Sequence, residues 1–178
     1  GMGGGGNGGD GGTGWVQQNS GTTLVLYGVS FTDANNGTTV GGAGTTLRTT
    51  DGGATWVQQN SGTTNSLWGV SFTDANNGTA VGGAGTILRT RDGGATWVKQ
   101  TSGTTRFLRD VSFTDANTGT AVGQDGTIVR TSDGGATWVT QNSVTTNSLF
   151  GVSFTDANNG TAVGEAGTIL RMTDGGGG

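Results

Sequence analysis

The sequence lacks three residue types on which many functional sites depend. Among its 178 residues there is no cysteine, no histidine and no proline. The absence of cysteine excludes disulfides, thiol catalysis and cysteine-ligated zinc. The absence of histidine excludes serine-protease-like triads and histidine-ligated metals. We therefore predict no catalytic residue, no metal site and no cofactor.

Charge and long apolar segments are also scarce. The net charge is −4, from 8 basic and 12 acidic residues, and the basic residues form no run. The electrostatic footprint of a nucleic-acid-binding protein is therefore missing. No apolar stretch approaches the length of about 18 residues that a membrane-spanning helix needs, and the N-terminus has no signal-peptide pattern. We expect no nucleic-acid partner and no membrane insertion, and the sequence leaves the cellular compartment open.

What the sequence does contain is an internal repeat. Tryptophan recurs every 41 residues, at Trp15, Trp56, Trp97 and Trp138, and the units that begin at residues 56 and 138 agree at 33 of 41 positions. A fixed period of this length predicts copies of one supersecondary unit, stacked or arranged in a ring. Such agreement is typical of recent amplification or design. We assign the repeats to residues 13–174 and expect flexible glycine-rich ends at 1–12, where Gly1-Met2 is typical of a tag remnant, and at 175–178.

Each unit contains four segments with the pattern of short strands. In the second unit these are residues 67–72, 79–81, 86–90 and 95–100, and no window has a helical period. Asn77-Gly78 favours a hairpin, because both residues tolerate positive φ. The pattern predicts an all-β fold, a β-propeller of four 41-residue, four-stranded blades per chain. A β-solenoid is the alternative, but its parallel strands would not use Asn-Gly hairpins.

The phase of the repeat splits one blade between the two ends of the chain. Residues 14–18 correspond to a fourth strand, whereas residues 150–172 supply strands one to three. Pairing between these segments would remove a free sheet edge. Two closures satisfy this pattern: a four-bladed monomer, or a homodimer in which two chains exchange strands to form an eight-bladed ring. The small blade favours the homodimer.

The turns at residues 50–56, 91–97 and 132–138 resemble the Asp-box, Ser/Thr-Xaa-Asp-Xaa-Gly-Xaa-Thr-Trp, although Arg91 departs from its first position. A degenerate copy begins at Asp10. With its Val-Ser-Phe and Gly-Thr-Ala-Val-Gly segments, the unit is most similar to the repeats of Ycf48-type photosystem II assembly factors. Sialidases and sortilin-like receptors also carry Asp-boxes. The resemblance implies a propeller with structural Asp-box residues between strands three and four, and partner binding like that of an assembly factor. The corresponding residues are Asp10, Asp51, Trp56, Asp92, Trp97, Asp133 and Trp138.

Differences between the units point to a candidate binding face. They concentrate at the start of strand one and at the turn between strands two and three, which lie on the same face of an up-and-down blade. Aromatic and charged residues near the channel mouth are the candidates: Tyr27, Trp68, Arg109 and Phe150. The alternative is neutral drift on a tolerant surface. A second set could bind an anionic partner or could pair with turn carboxylates: Arg48, Arg89, Arg130 and Arg171.

Three functional alternatives remain weaker. Sialidase chemistry, as known in that family, needs an arginine triad and a tyrosine–glutamate pair, but the single tyrosine and the single glutamate (Glu165) lie in different units. Asp125 and Glu165 could approach as a glycosidase pair, or be solvated turn residues. Residues 74–78 fall short of a calcium loop. We predict a non-enzymatic propeller scaffold with an unidentified protein or glycan ligand, the alternative being an Asp-box glycan-binding or glycosidase-like protein.

Overall fold

The computed structural model describes residues 14–175, which form fifteen β-strands in four antiparallel sheets. Each sheet is one blade. Blade one contains β1 (Leu26–Phe31), β2 (Gly37–Gly41), β3 (Thr46–Thr49) and β4 (Val57–Gln59). Blade two contains β5 (Leu67–Phe72), β6 (Gly78–Gly82), β7 (Ile87–Thr90) and β8 (Val98–Gln100). Blade three contains β9 (Leu108–Phe113), β10 (Gly119–Gly123), β11 (Ile128–Thr131) and β12 (Val139–Gln141), and blade four contains β13 (Leu149–Phe154), β14 (Gly160–Gly164) and β15 (Ile169–Met172).

The strands of each blade pair in chain order as an up-and-down meander. Registers repeat from blade to blade; Arg48 faces Val57 in blade one as Arg89 faces Val98 in blade two. The only helical pieces in the described part are 3₁₀ turns of three residues between strands two and three of each blade, at Gly42–Gly44, Gly83–Gly85, Gln124–Gly126 and Glu165–Gly167. The all-β propeller prediction is confirmed.

The hairpin between β5 and β6 closes differently from the expectation. The hairpin is present, but neither Asn77 nor Gly78 has a positive φ, so the reason given for it is wrong. Instead the Asp74 Oδ1 atom accepts hydrogen bonds from the backbone N–H groups of Asn76 (2.8 Å) and Asn77 (2.7 Å). A short side chain that binds its own backbone can replace a left-handed turn residue. The turn is thus closed by an aspartate, whose oxygen is committed to the backbone.

The hydrophobic core lies between the blades. Strand β1 packs on β5, β5 on β9, and β9 on β13. At one such junction Val81 and Ile87 of blade two form a single cluster with Leu108 and Val111 of blade three. Each blade is a thin sheet with apolar residues on both faces, and the next blade covers one of them.

The series of blades does not close on itself within residues 14–175. At one end Val29 is 64% exposed, whereas the equivalent Val70 and Val111 are 8% and 4% exposed. At the other end Ile169 is 72% exposed, against 0% for the equivalent Ile87. Blade four has only three described strands, and residues 14–18 form none. The four-bladed monomer, closed by pairing of residues 14–18 with β15 in the same chain, is therefore wrong.

The first glycine of each second strand allows a phenylalanine to lie across the sheet. A Cβ built on Gly78 would lie 2.3 Å from Phe72 Cζ, and Phe72 is held between Trp97 (6.0 Å between ring centroids) and Arg48 (5.3 Å from Cζ to centroid). We expect Gly78→Ala to lower the free energy of unfolding by about 1–3 kcal/mol, through overpacking. Urea denaturation measures this. The control is Gly83→Ala, whose Cβ has no neighbour closer than 3.9 Å; an equal loss in the control would contradict the explanation.

Candidate functional site

One depression gathers the four residues that were predicted to lie near the channel mouth. Tyr27, Trp68, Arg109 and Phe150 occupy equivalent positions on β1, β5, β9 and β13, and all four line a cavity of about 270 Å³. The pairing of the first two strands is closely similar in every blade, so it is side chains that distinguish one blade from the next here. The structure brings the whole predicted set together.

Trp68 is at the centre of this group. Its ring meets Tyr27 edge-on at 6.4 Å and Phe107 at 5.3 Å between centroids. The Arg109 guanidinium lies over the same ring, with Cζ 5.6 Å from the centroid. Tyr27 and Phe150 remain nearly half exposed. A rigid aromatic surface beside a cation offers both apolar contact and charge recognition.

Asp110 belongs to this site, and the sequence interpretation omitted it. It lines the same cavity and stands where the other three units have Gly28, Gly69 and Gly151. Its carboxylate accepts hydrogen bonds from the N–H groups of Val152 (2.9 Å) and Val111 (2.9 Å). Burial raises the pKa of Asp110, and the two backbone hydrogen bonds act in the opposite direction. The sequence did contain a signal for this residue, because an aspartate stands at a repeat position where the other three units have glycine.

The turns between strands two and three lie on the same face, as expected. Backbone hydrogen bonds join each turn to the start of strand one, for example from Gly83 N–H to the Ser66 carbonyl (3.0 Å). Arg106 and Asp125 form an ion pair. The Glu165 carboxylate accepts a hydrogen bond from the Ser148 N–H (3.1 Å). Each of the two carboxylates considered as a glycosidase pair is thus bound within its own blade.

Three of the four repeated arginines are positioned at junctions between blades. Arg48 donates to the Ala75 carbonyl of the next blade (2.8 Å), and Arg89 donates in the same way to Ala116 (2.8 Å). Arg130 likewise donates to the carbonyl of Ala157. Arg48 and Arg89 are only 9% and 4% exposed, and burial lowers their pKa values. For these three arginines the partner in the next blade is a backbone carbonyl, not a turn carboxylate, which was one of the two alternatives. Arg171 alone of the four is exposed, at the open end.

The Asp-box-like turns form a hydrogen-bonded unit on the opposite face. The Asp92 carboxylate accepts hydrogen bonds from Thr96 N–H (2.9 Å), Thr96 Oγ1 (2.6 Å) and Thr90 Oγ1 (2.8 Å). These bonds hold the pKa of Asp92 at about 2, below its ordinary 3.8. Asp51 and Asp133 have the same contacts, while Asp10 lies outside the described residues.

The tryptophan of each such turn connects one blade to the one before it. Trp138 Nε1 donates to Gln100 Oε1 of the preceding blade (3.0 Å), and its ring packs edge-on against Phe113 at 5.9 Å. Trp97 and Trp56 make the same bond, to Gln59 and Gln18. The described residues contain no group of three acidic, histidine or cysteine side chains that could hold a metal, and no helix there is long and apolar enough to cross a membrane.

Repeat, fold and turn geometry together define a BNR-like repeat β-propeller. Residues 101–178 match the family model for the photosynthesis system II assembly factor YCF48. This confirms the resemblance to Ycf48-type repeats. The comparison with curated proteins gives no match.

Solved structures with this fold include both natural and designed proteins. A YCF48 bound to D1 peptide is 21% identical over 88% of this chain (TM-score 0.62), and YCF48 from Cyanidioschyzon merolae is 26% identical over 85% (TM-score 0.67). The chain spans 66% and 54% of those two proteins. The computationally designed Ika4 protein is 15% identical over 90% of this chain and all of its own (TM-score 0.74). An ancestral GH74 enzyme also shares the fold at 15% identity over 83% of this chain and 25% of its own (TM-score 0.54), so the fold alone does not separate enzymes from non-enzymes.

The low pKa of the Asp-box carboxylates predicts an acid-dependent loss of stability. A carboxyl group whose pKa is depressed on folding stabilises the fold above its unfolded pKa and ceases to do so as the pH falls through its folded pKa. Because the pKa values of Asp51, Asp92 and Asp133 are about 2, against 3.8 unperturbed, stability should fall between pH 3.8 and about 2. The triple variant Asp51→Asn, Asp92→Asn, Asp133→Asn should lose less stability than the wild type between these pH values.

The urea midpoint of unfolding, measured as a function of pH, checks this prediction. Glu165→Gln is the control for removing a negative charge. Parallel curves for the triple variant and the wild type would contradict the assignment.

Proposed function

We propose that this chain is a non-enzymatic binding propeller whose ligand is a peptide segment held at the channel mouth. The observation that carries the proposal is the convergence of Tyr27, Trp68, Arg109 and Phe150 around one depression. All four occupy the same repeat position, yet each unit has a different side chain there. The framework residues around them, such as the strand-two segments, are nearly invariant between units. A repeat framework that varies at its channel mouth is suited to recognition.

The chemistry of the mouth indicates the kind of peptide. The aromatic group of Tyr27, Trp68 and Phe107 offers apolar surface, and Arg109 offers a cation that can bind a carboxylate with two parallel hydrogen bonds. The ligand class is therefore an extended peptide with an apolar side chain next to an acidic group. A solved YCF48 that carries a D1 peptide supports peptide binding by a related propeller.

Two observations support the proposal that the chain is not an enzyme. Asp125 is paired with Arg106, and Glu165 accepts a backbone hydrogen bond. A glycosidase needs two carboxyl groups that face a shared cleft, one of them free to transfer a proton. The carboxylate at the mouth, the half-buried Asp110, is bound to two backbone amides.

We also propose that two chains complete the ring. Blade one has an exposed apolar face that contains Val29, and blade four has one that contains Ile169. The equivalent faces of the other blades are buried at the junctions inside the chain. The two faces belong to opposite ends of the series, so one chain can offer each face to the other end of a second chain. Two identical junctions then form at once and leave no exposed end.

Binding at the mouth is tested with an array of random decapeptides probed with labelled protein. We expect the bound peptides to be enriched in acidic residues beside apolar ones. Arg109→Gln should weaken binding to the acidic members roughly tenfold, and Trp68→Ala should weaken binding to all of them by a similar factor.

The matched control is Arg91→Gln, which removes an exposed arginine from the opposite face. It should leave the array unchanged. Equal binding by wild type and an Arg109→Gln, Trp68→Ala double variant would contradict the proposed site, as would a wild type that binds no member of the array.

A further inference from the structure

Blade four contains an apolar groove beside its last described strand. The groove has a volume of about 330 Å³ and is lined mainly by apolar side chains from blades three and four: Val122, Ile128, Val152, Phe154 and Leu170. Strand β15 forms one of its walls, and the outer edge of β15 has no partner strand among the described residues. The groove thus lies beside a free sheet edge.

The equivalent space in blade three is filled by a tryptophan. Trp138 packs in one cluster with Val81, Ile87, Val111 and Val129, against Phe113, and is 9% exposed. The five residues around Trp138 each lie 41 positions before a residue of the groove. The groove therefore has the lining of an indole site.

One tryptophan occupies no such site within residues 14–175. Trp15 is fully exposed, at 106%, yet residues 15–23 repeat residues 56–64 letter for letter. The following residues are fixed at the far end of the blade series: Gln18 Nε2 donates to the Gly52 carbonyl (3.0 Å), and Trp56 Nε1 donates to Gln18 Oε1 (3.1 Å). Gln59 makes the same two bonds with Gly93 and Trp97. Residues 15–18 therefore hold the position of a fourth strand that belongs to a blade before blade one.

We propose that Trp15 of one copy of the chain fills the blade-four groove of a second copy. Residues 16–18 then extend blade four as its fourth strand, beside β15. The register follows from β3 and β4, where Arg48, Leu47 and Thr46 face Val57, Gln58 and Gln59. Shifted by whole repeats, this pairing sets Arg171, Leu170 and Ile169 opposite Val16, Gln17 and Gln18. The inference rests on the proposed two-chain ring and names the contact that holds it together.

Two further contacts of every interior junction involve residues that have equivalents at this one. Trp138 Nε1 donates to Gln100 Oε1, and the residue equivalent to Gln100 is Gln141, which lines the groove. Arg48 donates to Ala75 of the next blade and lies over Phe72. The equivalent Arg171 would donate to Ala34 of the partner subunit. The junction between two copies can thus repeat the polar contacts of the junctions inside one chain as well as the apolar ones.

The test compares the masses of wild type and Trp15→Ala by light scattering after size exclusion, over about 1–100 µM. We expect twice 17.6 kDa for the wild type and 17.6 kDa for the variant. Gln17→Ala, which removes a side chain equivalent to the exposed Gln58, is the control and should retain the doubled mass. Because Trp15 is fully exposed in one copy, circular dichroism of the variant should match that of the wild type.

A competing peptide tests the same contact without any variant of the protein. A synthetic peptide of residues 14–23, in excess, should convert the doubled wild-type mass to the single mass, and the same peptide with Trp15→Ala should not. A Trp15→Ala protein that keeps the doubled mass, or a peptide without effect, would overturn the Trp15 contact while leaving the two-chain ring. A wild type of 17.6 kDa throughout would overturn the ring itself. Neither result bears on peptide binding at the mouth, which the Arg109 and Trp68 variants test separately.

Discussion

The structure depends on the burial of each blade's two apolar faces by its neighbours. A 41-residue unit with small second-strand residues such as Ala80 and Ala121 cannot enclose a core of its own. Leu108 and Val81 become fully buried only because two blades meet. The arginine–carbonyl bonds and the tryptophan–glutamine bonds also cross from one blade to the next. In such an array stability lies in the junctions, and the two end faces are the places where the array is incomplete.

The sequence predicted the fold well because the repeat presents the same evidence several times. Five Asp-Gly-Gly segments and four Val-Ser-Phe segments indicated the strand order, and the strands of blade two lie within three residues of their predicted bounds. The turn at Asp74 was assigned correctly as a turn but for the wrong reason, because a side-chain hydrogen bond closed it without any positive φ. Closure of the ring could not be derived, since the angle between blades depends on packing and not on strand pattern.

The candidate site was predictable in part for the same reason. Positions that differ between near-identical units stood out, and Tyr27, Trp68, Arg109 and Phe150 do lie together. The role of the repeated arginines could not be predicted from the sequence, because their acceptor is a backbone carbonyl such as that of Ala75. Every residue type has such a carbonyl, so the sequence does not indicate which one is the partner. In the sequence Asp110 differed from the other units only by replacing a glycine. The structure explains this difference, because the Asp110 carboxylate binds the Val152 amide of the adjacent blade. The mouth therefore also depends on contacts between adjacent blades.

The central claim is that two chains complete one ring, and disulfide trapping tests it most directly. The chain has no cysteine of its own, so any disulfide must form between introduced residues. Gln17→Cys and Leu170→Cys together place two thiols at facing positions of the proposed strand pair, within the Cα separation of about 4.4–6.8 Å that a disulfide needs. Leu47→Cys with Gln58→Cys, the equivalent pair inside blade one, serves as the control for geometry. After oxidation and denaturation the account predicts a covalent species of twice 17.6 kDa for the first pair and of 17.6 kDa for the control. An internal disulfide at 17.6 kDa for the first pair, or none while the control forms, would contradict it.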